Sequence, residues 1–180
     1  MPKLNTVNPE VKDYLLKVAI YWIEEFDIDA WRLDVANEID HQFWRDFRKA
    51  VLAKKPDLYI LGEIWHSSQP WLNGDEFHAV MNYPLSESIK DYFLRRHKET
   101  QRFIWEINSH SMYYRQQISE VMFNLLDSHD TERILTTAKG DLQSVKSALA
   151  FLYLQRGTPC IYYGTELALI GGPDPDCRRV

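Results

Sequence analysis

Residues 30–40, AWRLDVANEID, decide the predicted fold because apolar and charged side chains alternate within them. Apolar residues up to Val35 alternate with Arg32 and Asp34, and the period of two in a β-strand sends the two sets to opposite faces. A strand covered by helices is normally apolar throughout, so the charged pair should face water or a polar cavity. From the residues alone, the pair is either functional or a structural ion pair on an edge strand.

The composition predicts a globular domain with a neutral ligand. The 180 residues are 45% hydrophobic and 13% aromatic, which is enough for a real core. A net charge of -5 without any basic run disfavours nucleic acid and acidic membrane surfaces as partners. The abundant aromatic residues would suit stacking on sugars, although most aromatic side chains in proteins are core.

The cysteine content and the N-terminus predict a cytoplasmic protein. Cys160 and Cys177 are the only cysteines in the sequence, and two in a chain of this size do not form a disulfide framework. Cys160 lies in an apolar run and is predicted to be core, and Cys177 is predicted to be a loop thiol. The N-terminal residues lack the basic and apolar regions of a signal peptide, and no apolar run is long enough to span a bilayer.

Helices and strands alternate along the chain. Asn8 and Pro9 predict a helix start, and the stripe from Val11 to Phe26 is predicted to pack in the core. The predicted strands are 30–35, 58–65, 79–83, 121–128 and 159–163, and the predicted helices between them are 43–54, 87–96, parts of 100–120, and 142–156. This order indicates a parallel sheet. Because no glycine-rich phosphate loop follows the first strand, a (β/α) barrel is favoured over a doubly wound sheet, and the chain holds about five eighths of a barrel of ~250 residues.

Three carboxylates, Asp34, Glu63 and Asp130, follow three of the predicted strands, with Arg32 and His129 beside them. Active sites of parallel barrels lie at the carboxyl ends of their strands, and glycosidases need two carboxyl groups there, one attacking or activating water and one donating a proton. Such residues also bind metals in many barrel hydrolases, so a metal-dependent hydrolase stays open. The sequence has no H-x-H or H-E-x-x-H motif.

Three ordered motifs resemble those of the α-amylase family of glycoside hydrolases. WRLDVANEID resembles its strand-four motif, LGEIWH its strand-five motif and LLDSHDTER its strand-seven motif. Within the family, MPKLN at Met1–Asn5, VANE at Val35–Glu38 and MNYPL at Met81–Leu85 are similar to the neopullulanase, cyclomaltodextrinase and maltogenic amylase group.

The resemblance implies a partial (β/α)8 TIM barrel that comprises about strands four to eight with their helices. Residues 1–180 would form this incomplete catalytic domain, with residues 1–7 coming from the end of the inserted B domain. Strands one to three, the histidine of the strand-three motif and the flanking β domains are expected outside these residues. The chain expressed alone is therefore expected to be catalytically silent, which is a third functional alternative.

The resemblance also implies roles for individual residues. Asp34 would be the nucleophile, Glu63 the general acid and then base, and Asp130 the carboxylate that holds sugar hydroxyls at the transition state. Arg32 and His129 would complete that sugar subsite.

Four further residues would bind substrate. Asp174 and Arg178 match a substrate-binding pair that follows the eighth strand. Trp65 and Glu38 would line the acceptor side, where contacts influence whether water or another sugar receives the glycosyl unit.

The implied activity is hydrolysis of α-glucosidic bonds in maltooligosaccharides, cyclodextrins, pullulan or starch by a retaining double displacement, with transglycosylation as a second outcome. The expected partner is an α-glucan oligosaccharide, without nucleic acid or membrane, and a homodimeric parent enzyme fits the group. No cofactor is expected in this segment, and calcium would belong to other parts of such an enzyme.

Three positions depart from the family pattern. Ala30 stands where the family usually has Gly, and Asp127 precedes Ser128 where a small neutral residue is common. In YYGTEL, Thr165 replaces an expected Asp. None of these changes removes a predicted catalytic group.

Overall fold

The computed structural model describes residues 3–179, and these form two compact units. Unit 1 comprises the positions up to Ile64 together with Ser68–Val80, and unit 2 comprises Trp65–Ser67 and the positions from Met81 onward. Of the residues assigned to the end of a B domain, Met1 and Pro2 lie outside the described part of the chain.

Unit 1 begins with helix α1, Pro9–Phe26, which starts where the sequence predicts. The Asn8 side chain accepts hydrogen bonds from the backbone N–H groups of Glu10 and Val11, at 2.9 and 3.2 Å. These bonds satisfy donors that the first helical turn leaves without a partner, and Pro9 has no N–H to satisfy.

The prediction that the stripe from Val11 to Phe26 packs in the core is wrong for its C-terminal half. Val18, Trp22 and Phe26 are 36%, 43% and 58% exposed, and the buried residues of α1 are Ala19 and Ile23. Within unit 1, α1 packs against helix α2, His41–Lys54, and the buried Ala19 and Ile23 lie one turn apart on the same face of α1. The face of α1 that carries Trp22 and Phe26 is exposed.

A parallel three-stranded sheet carries unit 1. Its strands are β1, Ala30–Leu33, β2, Tyr59–Gly62, and β3, Ala79–Val80, in the order β1-β2-β3. Helix α2 connects β1 to β2, as expected for a βαβ unit. The register pairs Leu33 with Gly62, so β1 and β2 end side by side and the residues that follow them lie at one edge of the sheet.

Unit 2 continues the alternation of helices and short strands. Its elements are α3 Tyr83–Ile89, a π-helical turn Lys90–Leu94, α4 Thr100–Tyr113, α5 Gln116–Ser119, β4 Phe123–Asn124, α6 Ile134–Thr137, α7 Leu142–Tyr153 and β5 Thr158–Pro159. Strands β4 and β5 pair in parallel, and Met81 makes a parallel bridge to Phe123. Three short 3-10 turns, Ala36–Glu38, Gln69–Trp71 and Asp176–Arg178, complete the described elements.

The core of unit 2 lies between α3, α4, α6 and α7. Ile89, Phe103, Ile134 and Leu152 are buried in one hydrophobic cluster. Apolar residues at helical spacing on these elements supply the cluster, and burying each large side chain contributes roughly 1.5–3 kcal/mol. This core fixes the helix that follows the loop carrying His129 and Asp130.

Parallel pairing occurs near each of the five predicted strands, but each strand is shorter than predicted, and β5 shares only Pro159 with the predicted range 159–163. The strand of 30–35 ends at Leu33, and that of 121–128 is reduced to Phe123–Asn124. The apolar alternation continues past the point where backbone pairing stops, because side chains beyond the strand are buried as well. Among residues 3–179, no helix is long and apolar enough to cross a membrane.

Candidate active site

Arg32, Asp34 and Glu63 form one cluster at the carboxyl ends of β1 and β2, called here the Arg32 cluster. One terminal nitrogen of the Arg32 guanidinium bonds the Asp34 carboxylate, and the other lies 2.7 Å from Glu63 Oε1. The Glu63 side chain is 4% exposed and that of Asp34 is 74% exposed. The predicted pair of Arg32 and Asp34 is therefore confirmed, and the same cation also holds a second carboxylate.

The backbone after β1 is turned toward Glu63. Val35 has φ 41° and ψ 48°, a left-handed conformation that is a genuine outlier for a β-branched residue. In this conformation its N–H donates to Glu63 Oε2 at 2.9 Å, and the N–H of Ala36 donates to the Glu63 carbonyl at 3.0 Å. The prediction that Val35 continues the strand is thus wrong, because the chain leaves the strand geometry to bind Glu63.

Glu63 is also positioned from its own strand. Its N–H donates to the Leu33 carbonyl at 2.8 Å. The preceding Gly62 lies against the Phe77 ring, and a Cβ at Gly62 would be 2.8 Å from two ring carbons. Only glycine allows this contact, so the buried Phe77 limits how far Glu63 can shift.

In unit 2, His129, Asp130, Asp174 and Arg178 form a second cluster, the Asp130 cluster. His129 Nε2 lies 2.9 Å from Asp130 Oδ2, and an Arg178 terminal nitrogen lies 3.3 Å from Asp130 Oδ1. Arg178 Nε is 2.6 Å from Asp174 Oδ1, so the predicted pair of Asp174 and Arg178 is in contact. Each carboxylate oxygen of Asp130 therefore faces a different side-chain nitrogen.

The turn that carries Asp130 is held by its own side chains. Ser128 Oγ accepts the Asp130 N–H at 3.2 Å, and Thr131 Oγ1 accepts the Ser128 N–H at 2.8 Å. Side-chain oxygens of Ser and Thr satisfy backbone donors in this way in tight turns. The motif SHDT thus builds the loop as well as supplying its functional groups.

The carbonyl of His129 connects this turn to the end of the chain. It accepts hydrogen bonds from Cys177 Sγ at 3.1 Å and from Arg178 Nε at 3.0 Å. Cys177 is fully buried in the 3-10 turn Asp176–Arg178, so the prediction of a loop thiol is wrong. Two prolines before it suggested an open loop, but the thiol has a backbone partner that the sequence does not announce.

The two predicted acceptor-side residues are each held by a neighbour in their own unit. The Trp65 indole stacks on the buried Tyr83 ring with centroids 3.8 Å apart and an angle of 6° between the planes. Trp65 is 48% exposed, so its other face can contact a ligand. Glu38, in unit 1, forms an ion pair with Lys3.

Within residues 3–179, no group of three or more His, Cys, Asp and Glu side chains is placed to hold a metal ion. Two histidines of unit 1, His41 and His78, have hydrogen-bond partners within the fold. His41 Nδ1 lies 2.9 Å from both carboxylate oxygens of the buried Glu76, and His78 Nδ1 accepts the Ile60 N–H at 3.0 Å. Burial raises the pKa of Glu76, and its hydrogen bond with His41 acts in the opposite direction.

The sequence analysis assigned no role to three buried residues of unit 2, which are Asp127, Arg133 and Thr165. Asp127 Oδ2 accepts hydrogen bonds from the Ile134 N–H at 3.1 Å and from Thr165 Oγ1 at 2.9 Å. Arg133 is fully buried, stacks on the rings of Tyr162 and Tyr163 and donates to the Tyr163 carbonyl at 2.6 Å. The only sequence features that could have pointed to them are the two departures at Asp127 and Thr165.

Parallel βα units with carboxylates after their strands are features of barrel glycosidases. Comparison with known proteins identifies the family: the model of the α-amylase catalytic domain matches residues 1–175, and the chain belongs to this family. The predicted family and its TIM-barrel fold class are thereby confirmed.

Individual relatives carry the names predicted from the motifs. An intracellular maltogenic amylase from Bacillus subtilis (strain 168) is 59% identical over 179 residues, which are 99% of this chain and 30% of that protein. Neopullulanase 2 from Thermoactinomyces vulgaris is 50% identical over 99% of this chain and 30% of its own length. A solved cyclomaltodextrinase structure superposes with a TM-score of 0.97 at 56% identity, covering 99% of this chain and 31% of that one.

These relatives carry the names of enzymes, and this chain belongs to the same family. The chain spans about 30% of the length of the curated relatives described above. Activity, substrate and assembly of a whole protein are therefore argued separately below.

Proposed function

We propose that this chain supplies the catalytic carboxylates of a retaining glycoside hydrolase that acts on α-glucosidic bonds. Its substrates would be maltooligosaccharides, cyclodextrins, pullulan or starch, and transfer to a second sugar would accompany hydrolysis. The names of the relatives, maltogenic amylase, cyclomaltodextrinase and neopullulanase, support an α-glucan substrate.

The observation that carries this proposal is the Arg32 cluster. A single planar guanidinium contacts both Asp34 and Glu63 through its two terminal nitrogens, which brings the two carboxyl groups to one side of β1 and β2. Retaining glycosidases need their two carboxyl groups ~5–5.5 Å apart, whereas inverting enzymes need ~6.5–9.5 Å for an intervening water. The shared guanidinium keeps the two carboxyl groups near one another, which a double displacement requires.

In the proposed first step, the exposed carboxylate of Asp34 attacks the anomeric carbon while Glu63 gives its proton to the glycosidic oxygen that leaves. A covalent glycosyl ester forms on Asp34, and the leaving sugar departs with that proton. In the second step, Glu63 takes a proton from water or from a sugar hydroxyl, which attacks the ester and releases Asp34. Arg32 orients both groups throughout.

Asp130 would bind hydroxyl groups of the sugar whose bond is cleaved. His129 and Arg178 each hold one of its oxygens, so its carboxylate is oriented before substrate arrives. Hydrogen bonds to sugar hydroxyls that strengthen in the transition state contribute several kcal/mol in such enzymes. Asp174 would act with Arg178 in the same subsite.

On the acceptor side, Trp65 would offer its exposed face as a stacking platform, and Glu38 would bind sugar hydroxyls. The stack with Tyr83 supports this role because it fixes the indole plane at little entropic cost on binding. A fixed platform favours a sugar over water as acceptor.

Further parts of the proposal concern the whole protein. The chain would contribute about strands four to eight of the barrel, with residues 1–7 ending the B domain, and no cofactor would be needed in this segment. A cytoplasmic location is supported by the relative named an intracellular maltogenic amylase. A homodimer is the proposed assembly.

Proton NMR of early products tests the mechanism in the full-length protein that carries these 180 residues. Retention predicts that the α-anomer of the new reducing end appears first, and the β-anomer would contradict it. Asp34→Asn and Glu63→Gln should each lower kcat roughly 1000-fold or more with maltooligosaccharides. Asp29→Asn, a matched change at an exposed carboxylate after α1, should leave kcat unchanged.

A further inference from the structure

Arg133 is a fully buried cation in unit 2. Its guanidinium lies over the Tyr162 and Tyr163 rings, 4.7 and 4.9 Å from their centroids, and one terminal nitrogen donates to the Tyr163 carbonyl at 2.6 Å. A buried charge is costly unless other groups of the fold stabilise it. The electron-rich ring faces and the carbonyl oxygen stabilise this cation.

Arg133 also contacts the last described segment of the chain, residues 171–179. The other terminal nitrogen of its guanidinium donates to the Arg179 carbonyl at 3.3 Å. Its backbone N–H donates to the Gly171 carbonyl at 3.1 Å. These two carbonyls lie at the two ends of the segment, so Arg133 holds both ends.

The segment between these two carbonyls carries Arg178, a substrate-binding candidate. Arg178 Nε donates to the His129 carbonyl at 3.0 Å, and an Arg178 terminal nitrogen donates to Asp130 Oδ1 at 3.3 Å. The Tyr163 hydroxyl donates to the Arg178 carbonyl at 2.5 Å. The segment that Arg133 holds therefore supplies one of the two side-chain nitrogens that face Asp130.

The surroundings of the guanidinium are closely packed. Gly164 has φ 81°, and a Cβ at this position would lie 2.4 Å from Leu169 Cδ1 and 3.2 Å from an Arg133 terminal nitrogen. Glycine suits both the positive φ and this close approach. The charge of Arg133 also acts on the buried Asp127, whose pKa is raised by burial and lowered by the guanidinium. Packing and charge therefore both restrict the position of Arg133.

We propose that Arg133 is a positioning residue that holds the segment 171–179 against the turn bearing Asp130. Through this segment it sets the positions of Asp174 and Arg178 in the proposed sugar subsite. This role rests on the proposed function of Asp130, Asp174 and Arg178. Because Arg133 is fully buried, it does not itself touch the substrate.

The shape of the side chain is what the role requires. The two terminal nitrogens of Arg133 join the Tyr163 carbonyl to the Arg179 carbonyl, and a planar fork of donors can hold two such groups at once. The bond from the backbone N–H to Gly171 remains in any variant at this position except proline. A substitution of the side chain therefore releases one end of the segment and leaves the other attached.

The test is Arg133→Lys in the full-length protein, with kcat and KM measured for maltooligosaccharides. Lysine keeps the positive charge, but its compact ammonium does not reproduce the planar fork. Because the displaced groups are those that bind the sugar, kcat/KM should fall roughly tenfold or more. An unchanged kcat/KM would overturn the proposal.

A double-mutant cycle separates positioning from a purely structural role. Arg178→Met removes the charged group through which Arg133 would act and keeps most of the aliphatic stem. If Arg133 acts through this group, kcat/KM of the double variant should fall at least about threefold less than the product of the two single losses. Losses that simply multiply would show that the two residues act independently, which contradicts positioning.

Two further variants keep the test independent of stability. Ile89→Val removes one methyl group from the core of unit 2 and should lower the unfolding midpoint without changing kcat/KM at a temperature where the protein is folded. Thr136→Val decides the question if Arg133→Lys does not fold. Thr136 Oγ1 accepts the Gly171 N–H at 2.9 Å, so its loss releases the first end of the same segment. This variant should lower kcat/KM roughly threefold and couple to Arg178→Met, and an unchanged kcat/KM would overturn the proposal.

Failure of the proposed function gives a different pattern from failure of the positioning role. If the proposed function fails, Asp130→Asn and Arg178→Met keep the kcat/KM of the parent, and the role of Arg133 is overturned with it. If only the positioning role fails, those two variants are impaired, but the cycle of Arg133→Lys and Arg178→Met shows no coupling.

Discussion

The strained backbone at Val35 positions the two catalytic candidates of unit 1, Asp34 and Glu63, relative to each other. Its positive φ turns the chain after Asp34, so that two successive N–H groups face Glu63. A non-glycine residue in this region costs of order 1–3 kcal/mol, and such strain is concentrated at active sites. The Val35 side chain is 45% exposed, so little packing is lost when it is removed.

The strain predicts an order of stability for two substitutions at position 35. Val35→Gly accepts the left-handed conformation freely, whereas Val35→Ala keeps the steric cost and loses the same packing. We expect the glycine variant to be more stable than the alanine variant by about 1 kcal/mol. Thermal unfolding midpoints of the two variants measure the difference. A more stable alanine variant would show that the conformation at Val35 carries no strain.

The pairing of β2 with β3 in unit 1 depends on the neutral side chain of His78, which directly precedes β3. Two hydrogen bonds join His78 to Ile60. The backbone N–H of His78 donates to the Ile60 carbonyl, and the ring Nδ1 of His78 accepts the backbone N–H of Ile60, both at 3.0 Å. Burial and, to a smaller extent, the charge of Arg48 lower the pKa of His78 to about 4. The Tyr59 ring stacks against the imidazole.

This arrangement predicts a pH dependence of the sheet. In the unfolded chain His78 titrates near 6.5, so below that pH the unfolded form binds a proton that the folded form excludes. The stabilising contribution is complete above about pH 6.5 and is lost as pH falls toward 4. We expect the protection of residues 59–62 to fall by about 1 kcal/mol between pH 7 and 4.5, less than the full shift because the ring is partly exposed.

Hydrogen exchange of peptides covering residues 59–62, corrected for the intrinsic pH dependence, measures this loss. His78→Asn is the matched variant, because its side-chain oxygen can accept the Ile60 N–H without titrating in this range. In the variant, the protection of residues 59–62 should depend less on pH. The protection that the variant loses relative to the parent at pH 7 reports lost packing alone. Equal profiles for parent and variant would contradict the role of His78.

Elements were predictable from the sequence where a local rule decides them. Asn8 and Pro9 set the start of α1, and the alternation of helices and strands gave the parallel class. Strand ends and the buried face of α1 were not predictable, because Val35 turns toward a residue 28 positions away and α1 packs on a later helix. Motif residues located Arg32, Glu63 and Asp130, but the contact between Asp127 and Thr165 is long-range and no local pattern encodes it.

For the chain as a whole, the open edges of the two sheets are the features that most favour association with other chains. Among the described residues, β1 pairs only with β2, and β5 pairs only with β4. Open strand edges favour association with other chains. The aromatic face of α1, with Trp22 and Phe26 stacked at 4.9 Å, adds exposed apolar surface.

These features predict that the 180 residues expressed alone are catalytically silent and associate. The Arg32 cluster should form locally, but displacements of about 1 Å at a catalytic group can cost ~100-fold in rate. Size-exclusion chromatography and a reducing-sugar assay with maltooligosaccharides measure both properties. A monomeric chain with activity comparable to that of the full-length protein would contradict the prediction.

The central claim is that Asp34 becomes covalently glycosylated. A fluorinated α-glucosyl inhibitor slows release of the ester and lets it accumulate on the nucleophile of a retaining enzyme. The full-length protein, treated with this inhibitor and digested, should yield one labelled peptide that contains Asp34, and the Asp34→Asn variant should yield none. A label on Glu63 or Asp130, or an active enzyme that never acquires a label, would contradict the account.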